Sequence, residues 1–535
     1  MTLIPGPPSA ANPPANGESE RQIRGSSLLL AGKVISVLVS LVVQIVIVRE
    51  LTKSEYGAFA YALSLVTTAA TLITLGIGQG LTRFVAIYDE DRHYNKMFGT
   101  IAMQLATIVG LGMFFVIGVI GLQSWISGSL IDDRQTVAVL LILSLLAPIQ
   151  AFDTMMGNLF AVLAKPRSIF FRRNILTPVM RLAVAGLLLV TSGGPRLLAA
   201  GYVVTGLIGA ITYAYLLIKI LRERGLLVHA HPRSLSLPIR EVMSFTLPLL
   251  SSELLFILIN TSDAILLGRF GGTDAVAAYK VILPTAKMNQ LVLLTFGILF
   301  TPLAARLFAR NDRAGIARLY WQTAAWVAVL SFPILVLTTS LAPTVTGLLF
   351  GAKYRDSWVY LALVSFGYYF SAALGFNAVT LKVLGRVRYI MGVSAVAGII
   401  NITLNLVLIS RYGPMGAAIS TLTTLVVYNS LNQLGLRSHR GIGLFSFAYV
   451  KIYLVIIASV AILGGVQLLT APTPVVAGGL AAVACLAVFA IGRHELDISA
   501  TFPELLQIPL VGNLLRKPGS GDPSRHDPAD HPEGS

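Results

Sequence analysis

Hydrophobic blocks of about 20 residues, the length of a helix that crosses a bilayer, recur along almost the whole chain. Short polar connections rich in Gly, Pro and basic residues separate them. The pattern predicts fourteen spans, roughly at 28–48, 58–79, 98–122, 137–162, 174–191, 197–218, 244–267, 277–302, 322–341, 357–380, 390–409, 416–433, 449–470 and 474–491. No alternating apolar/polar pattern of strands is present, which argues against a β-barrel. The fold class expected is an all-α polytopic membrane protein.

The blocks are written twice. Asn158 and Asn377, Arg167 and Arg386, and Gly194-Pro195 and Gly413-Pro414 recur at a spacing of 219 residues, and Arg49 and Arg269 at 220. Six spans per repeat is an even number, so both repeats enter the membrane with the same orientation. They are therefore expected to be parallel, related by an axis along the membrane normal. The organisation expected is a disordered cytoplasmic tail (1–27), a first lobe of spans 1–6 (28–218), a cytoplasmic linker (219–243), a second lobe of spans 7–12 (244–433), spans 13 and 14 (449–491) outside the duplication, and a cytoplasmic C-tail (492–535). A long apolar chain with two like lobes points to a transporter with its site between them.

Composition agrees. Hydrophobic residues make up 55% and charged residues 12% of 535, too little charge to cover a soluble protein of this size. The net charge of +16 raises the question of nucleic acid, but the basic residues gather in alternate loops. That is the positive-inside pattern, and it places both termini in the cytoplasm of a cell-membrane protein. No nucleic-acid partner is expected. The polar, Pro-rich residues 1–27 hold no apolar core, so the first span is expected to act as an uncleaved signal anchor. The single cysteine, Cys485, excludes a disulfide within the chain. The histidines lie in loops or tails, no phosphate-binding lysine loop occurs, and the outer loops are too short for a catalytic domain. No metal, cofactor, catalytic residue or enzymatic activity is expected.

Ionisable residues inside the spans carry the functional reading, because each costs about 2.5–3.5 kcal/mol at a helix centre. Lys33, Asp153, Arg181, Glu253, Asp263 and Lys287 stand out. At a rise of 1.5 Å per residue, Lys287 lies roughly 15 Å, Glu253 roughly 13 Å and Arg181 roughly 10 Å from the nearer span end. Bland roles compete for the others: Lys33 is within reach of the headgroups, Asp153 of a neighbouring cation, and Asp263 of Arg269. Lysine and arginine near the midplane favour an anionic guest, and phosphate above all, since arginine binds it in bidentate fashion. Glu253, Asp153 and Asp263 are candidates for counter-ions or for coupling to protons or sodium. Pro248 and Pro284 precede Glu253 and Lys287 and can bend their helices.

The opening stretch GKVISVLVSLVVQIVIVRELTKSEYGAFAYALSL, followed by LGIGQGLTRFVA, resembles the polysaccharide flippase branch of the multidrug/oligosaccharidyl-lipid/polysaccharide exporter superfamily. The second lobe repeats the theme in SFTLPLLSSELLFILINTSDAILLGRFGGTDAVAAYKVIL. The resemblance covers about 28–491. It implies a flippase that moves a polyprenyl-pyrophosphate-linked oligosaccharide from the cytoplasmic to the outer leaflet by alternating access. It also implies that Lys33, Arg181 and Lys287 contact the pyrophosphate, and that spans 13 and 14 form a groove for the lipid tail. The first span, with Lys33 alone, is poorer in basic residues than in the peptidoglycan flippases. The alternative within the superfamily is a MATE-like antiporter of cations and drugs.

Overall fold

The computed structural model describes the backbone of residues 15–496 except 75–76, 131–132, 164–165, 230–234, 441–442, 444–445 and 471. Side chains are described from residue 32 onward, with those breaks slightly widened and further ones at 247–260, 298–299, 468 and 493–495. Among these residues the chain is helical, without strands.

The first lobe is built from α1 (Ala15–Glu50), α2 (Lys53–Ile73), α3 (Ile77–Glu90), α4 (Tyr94–Gly121), the short α5 (Gln123–Trp125), α6 (Arg134–Ser144), α7 (Leu146–Val162), α8 (Pro166–Phe170), α9 (Thr177–Thr191) and α10 (Gly194–Glu223). The second lobe holds α11 (Ile239–Lys280), α12 (Leu283–Lys287), α13 (Leu291–Ala309), α14 (Arg313–Thr338), α15 (Ala342–Phe350), α16 (Trp358–Ala373), α17 (Asn377–Val383), α18 (Val387–Tyr412) and α19 (Pro414–Arg440). Last come α20 (Val450–Thr470) and α21 (Pro474–Glu495). Each of the fourteen predicted stretches contains helix. Among the described residues, eleven helices are long and apolar enough to cross a membrane, or twelve if a bent pair around α13 is one span. The expected fourteen is therefore not reached by this test. α19 is rich in Ser, Thr, Asn and Gln, and α11 runs partly through the undescribed side chains.

Local chemistry sets the helix ends. Thr52 and Glu55 form a capping box at the start of α2, satisfying two otherwise orphan N–H groups. Asp133 caps α6 and Asp312 caps α14. Many apolar side chains point outward, with Val190 84% and Phe114 77% exposed. Such exposure is tolerable because hydrocarbon, rather than water, surrounds them.

The internal duplication is visible at the seam between the lobes. Ser54 and Thr273, one repeat length apart, meet hydroxyl to hydroxyl at 3.0 Å, as equivalent residues do on a two-fold axis. Gly194 and Gly413 both take positive φ, at 64° and 54°, at the entry to the sixth helix of each lobe. The lobes approach so closely here that a Cβ on Gly57 would lie 1.9 Å from the carbonyl oxygen of Thr273. Within α11 the backbone breaks at Gly272 (φ 70°, ψ −172°), a conformation open to glycine and strained for other residues. Span 7 thus reverses into span 8 with almost no loop.

At this far end of the bundle each lobe caps the other. The Arg49 guanidinium donates to the carbonyls of Leu348 and Leu349 in the last turn of α15, and Lys353 donates to the carbonyls of Arg49 and Leu51 at the end of α1. A cation at a helix C-terminus satisfies free carbonyls and opposes the dipole. At the opposite end, where the chain enters α1, side chains hold the lobes. Glu241 of α11 accepts from the Tyr88 hydroxyl at 2.6 Å and from Lys96 at 3.0 Å, and Arg83 lies 4.5 Å from the centre of the Phe245 ring.

α20 and α21 pack on α14 of the second lobe through a cluster including Trp326, Phe332, Ile452, Ile456, Ala477 and Val488. Inside that lobe, Ser262, Asn401, Asn405 and Thr424 bond to one another and tie α11, α18 and α19 together.

Candidate functional site

A cavity of about 520 Å³ lies between the lobes. One wall is α1 and α2, with Arg181 of α9 and Tyr202 of α10 beside them; the other is the start of span 8, from Lys280 to Met288. Pro284 lies in this wall. Proline lacks an N–H and cannot donate to the carbonyl four residues back. Beyond it the helix runs only to Lys287 before a tight turn at Met288–Gln290.

Arg181 and Lys287, placed on different lobes, both line the cavity. The Arg181 guanidinium carbon lies 4.7 Å from the centre of the Tyr202 ring, and Tyr202 in turn meets Phe59 edge-on at 5.1 Å. This aromatic bracket restricts the arginine. Its Nε is buried without a hydrogen-bond partner. Lys287 is exposed to the cavity. Among the described residues neither forms an ion pair. Two cations that face one cavity without an ion pair among the described residues favour an anion between them.

The remaining sequence candidates are placed as follows. Lys33 is exposed and does not line this cavity. Asp153 lies inside the first lobe, 3.0 Å from the Arg172 guanidinium. Arg172 stacks on Tyr213 at 5.7 Å and is packed against Gly209. Asp263 does not pair with Arg269, the partner that sequence proximity suggested. It meets Lys280 at 3.2 Å, because the reversal at Gly272 brings span 8 back alongside span 7. Glu253 belongs to the helical backbone of α11, but its side chain lies outside the described residues.

Sequence reading missed three groups. Lys280 lines the cavity, yet it sits at the edge of a predicted span, where a lysine reads as a loop residue. Arg172 stands in the loop side of the predicted boundary, although a π-helical stretch, Phe171–Leu176, carries it inside and leaves it 5% exposed. Gln44 of α1 donates its amide to the Val281 carbonyl at 2.9 Å across the cavity's end. It is an uncharged residue in an apolar run, so no charge count could flag it. Among the described residues no group of three His, Cys, Asp or Glu could hold a metal ion.

Comparison with known proteins places this architecture. The family model for polysaccharide biosynthesis proteins matches residues 23–308, more than half of the chain, and that for MatE matches 248–407. An uncharacterized membrane protein of Methanocaldococcus jannaschii is 20% identical over 422 residues, covering 75% of this chain and 81% of that one. Among solved structures, the lipid II flippase MurJ in an inward closed conformation superposes with a TM-score of 0.66 at 13% identity, over 88% of this chain and 99% of that one. A multidrug resistance MATE family transporter of the MOP superfamily, in an inward-facing conformation, gives 0.60 at 15% identity, over 78% and 96%. At such identities the two structures establish a shared fold. With a two-lobed helical bundle, a charged cavity at its seam and a family match over more than half of its length, this chain belongs to the polysaccharide biosynthesis protein family.

Proposed function

We propose that this protein is a flippase that carries a polyprenyl-pyrophosphate-linked oligosaccharide from the cytoplasmic to the outer leaflet of the cell membrane, for polysaccharide export, with both termini in the cytoplasm. The observation that carries the reading is the pair of cations, Arg181 and Lys287, facing one cavity from opposite lobes with no ion pair among the described residues. Family membership supplies the context. The pyrophosphate binds between the two cations while its lipid tail stays in the bilayer. Anion binding draws the cation-bearing lobes together, and the far-end contacts around Arg49, Ser54 and Lys353 part to expose the site outward. A membrane potential assists, since outward transfer of about two negative charges through 100 mV releases roughly 4–5 kcal/mol.

The match of residues 248–407 to the MatE model supports a second reading, a cation or drug antiporter. It requires an uncompensated carboxylate in the cavity. Of the candidate carboxylates among the described side chains, Asp153 and Asp263 are both paired with cations, which favours the anionic guest.

Cells that depend on the Arg181→Gln/Lys287→Gln variant are expected to accumulate the lipid-linked sugar on the inner leaflet, as cells lacking the protein do. Lipid extracts of those cells also identify the glycan. Undiminished export by the double variant overturns the assignment.

A further inference from the structure

The cavity holds a third cation, and it differs from the other two. Lys280 lines the cavity beside Lys287 on span 8. It is the cavity lysine with an internal partner: its ammonium meets both carboxylate oxygens of Asp263, at 3.2 and 3.4 Å. Asp263 itself is nearly buried, does not line the cavity, and is further fixed by the backbone N–H of Ala264, which donates to it at 2.9 Å. The pair bridges span 7 and span 8 across the reversal at Gly272.

An ammonium has three donors. Two are occupied by Asp263, and the side chain borders the space where an anion docks. We propose that Asp263 is a surrogate anion: it neutralises Lys280 while the site is empty, yields the ammonium to the phosphate of the guest, and reclaims it when the guest leaves. The proposal rests on the anionic guest of the preceding subsection and deepens it. Three bare cations around one pyrophosphate would bind it too tightly to release. A transported ligand must bind well enough to enter and weakly enough to leave. A carboxylate fixed behind one of the three supplies the competitor. Among the described residues the first lobe sets no ion pair in the cavity wall: Asp153 pairs with Arg172, and neither residue lines that space.

The test uses the full-length protein in detergent, with inorganic pyrophosphate as the probe in titration calorimetry. Asp263→Asn keeps the side-chain shape and removes the competing charge, so pyrophosphate is expected to bind about tenfold more tightly at an effective dielectric near that of a protein surface. Turnover of the lipid-linked sugar is expected to slow at the same time, since release is impeded. Lys280→Gln should weaken binding by about tenfold or more, because it leaves an unopposed carboxylate behind the site. Asp263→Asn/Lys280→Gln should return affinity to near that of the wild type. The last two variants decide the matter even where Asp263→Asn alone fails to fold. A merely structural tie between the spans would lower stability and leave this pattern of affinities flat. Unchanged or weaker binding by Asp263→Asn, or a double variant no tighter than Lys280→Gln, overturns the proposal. If pyrophosphate binding ignores Arg181 and Lys287, or is absent from the wild type, the anionic-guest reading falls and takes this one with it. If binding depends on those two residues and is indifferent to Asp263, the surrogate role alone falls.

Discussion

The two lobes handle charge differently. Each contributes to the cavity one cation that forms no ion pair among the described residues, Arg181 from the first and Lys287 from the second. Each also keeps a carboxylate–cation pair. The first lobe keeps its pair off the cavity wall, since neither Arg172 nor Asp153 lines that space, although the two pairs are about equally buried, with side chains 6% and 23% exposed for Arg172 and Asp153 and 16% and 11% for Lys280 and Asp263. The second lobe sets its pair against the cavity, through Lys280. A pair away from the cavity contributes to the fold, because removing one partner leaves an uncompensated buried charge. A pair at a cavity wall can exchange partners with a guest. The same chemistry thus serves as structure in one lobe and as part of the site in the other.

The sharpest way to break this contrast is at Asp153. Asp153→Asn strands the Arg172 guanidinium, and the expected loss is about 3–5 kcal/mol of stability, read as a large fall in the thermal unfolding midpoint in detergent. Asp263→Asn should cost clearly less, since Lys280 can turn to cavity water. Equal losses would remove the distinction between the lobes.

Next in size is the seam on which the lobes pivot. Gly57→Val places a side chain where the Thr273 carbonyl already sits, and overpacking of this kind costs about 1–3 kcal/mol. Distances between spin labels on α2 and α15 should lengthen as the far end opens. Removing one charged cap, by Lys353→Gln or Arg49→Gln, should shift the same distances less, since hydrogen bonds to charged groups contribute about 1.5–3 kcal/mol when buried and these are partly exposed.

The smallest effect is expected at the opposite end, where the lobes meet through a titratable group. The Tyr88 hydroxyl and then the Lys96 ammonium hold the Glu241 carboxyl below the usual carboxylate range. Burial and the bond to Glu241 push the Tyr88 hydroxyl up to about 12. A lowered carboxylate stabilises the contact at all pH values above its ordinary range. That contribution disappears as pH falls through the depressed value. Hydrogen exchange at residues 88–96 should therefore rise under acid, with Glu241→Gln raising it at neutral pH and flattening the response. The far-end caps use backbone carbonyl acceptors and should show no such acid dependence.

Much of this was legible in the chain. Lipid as solvent demands long apolar helices with internally satisfied backbones, so hydropathy located eleven of the fourteen expected spans on helices long and apolar enough to cross a membrane, or twelve with the bent pair, among the described residues. The repeat spacing of 219 residues also relates Ser54 to Thr273, which meet at the seam, although the sequence singled out neither residue. Arg181 and Lys287 could be singled out because a charge deep in a span is costly. Partners were harder to read. Asp263 and Arg269 are close in sequence, and only the reversal at Gly272 brings Lys280 nearer in space. Arg172 escaped notice because the π-helical stretch around it shifts the helix register and turns a residue at a predicted span's edge into the lobe. Glu253 had looked as deep as Lys287, and its side chain lies outside the described residues.

The most direct test of the account is translocation of a short-chain polyprenyl-pyrophosphate sugar by protein reconstituted into vesicles, with wild type and Arg181→Gln/Lys287→Gln compared side by side under an imposed potential. The account predicts that the wild type flips the lipid faster when the receiving side is positive, and that the double variant falls to the rate of empty vesicles. Equal rates for the two proteins, or export of organic cations in place of the anionic lipid, would contradict it.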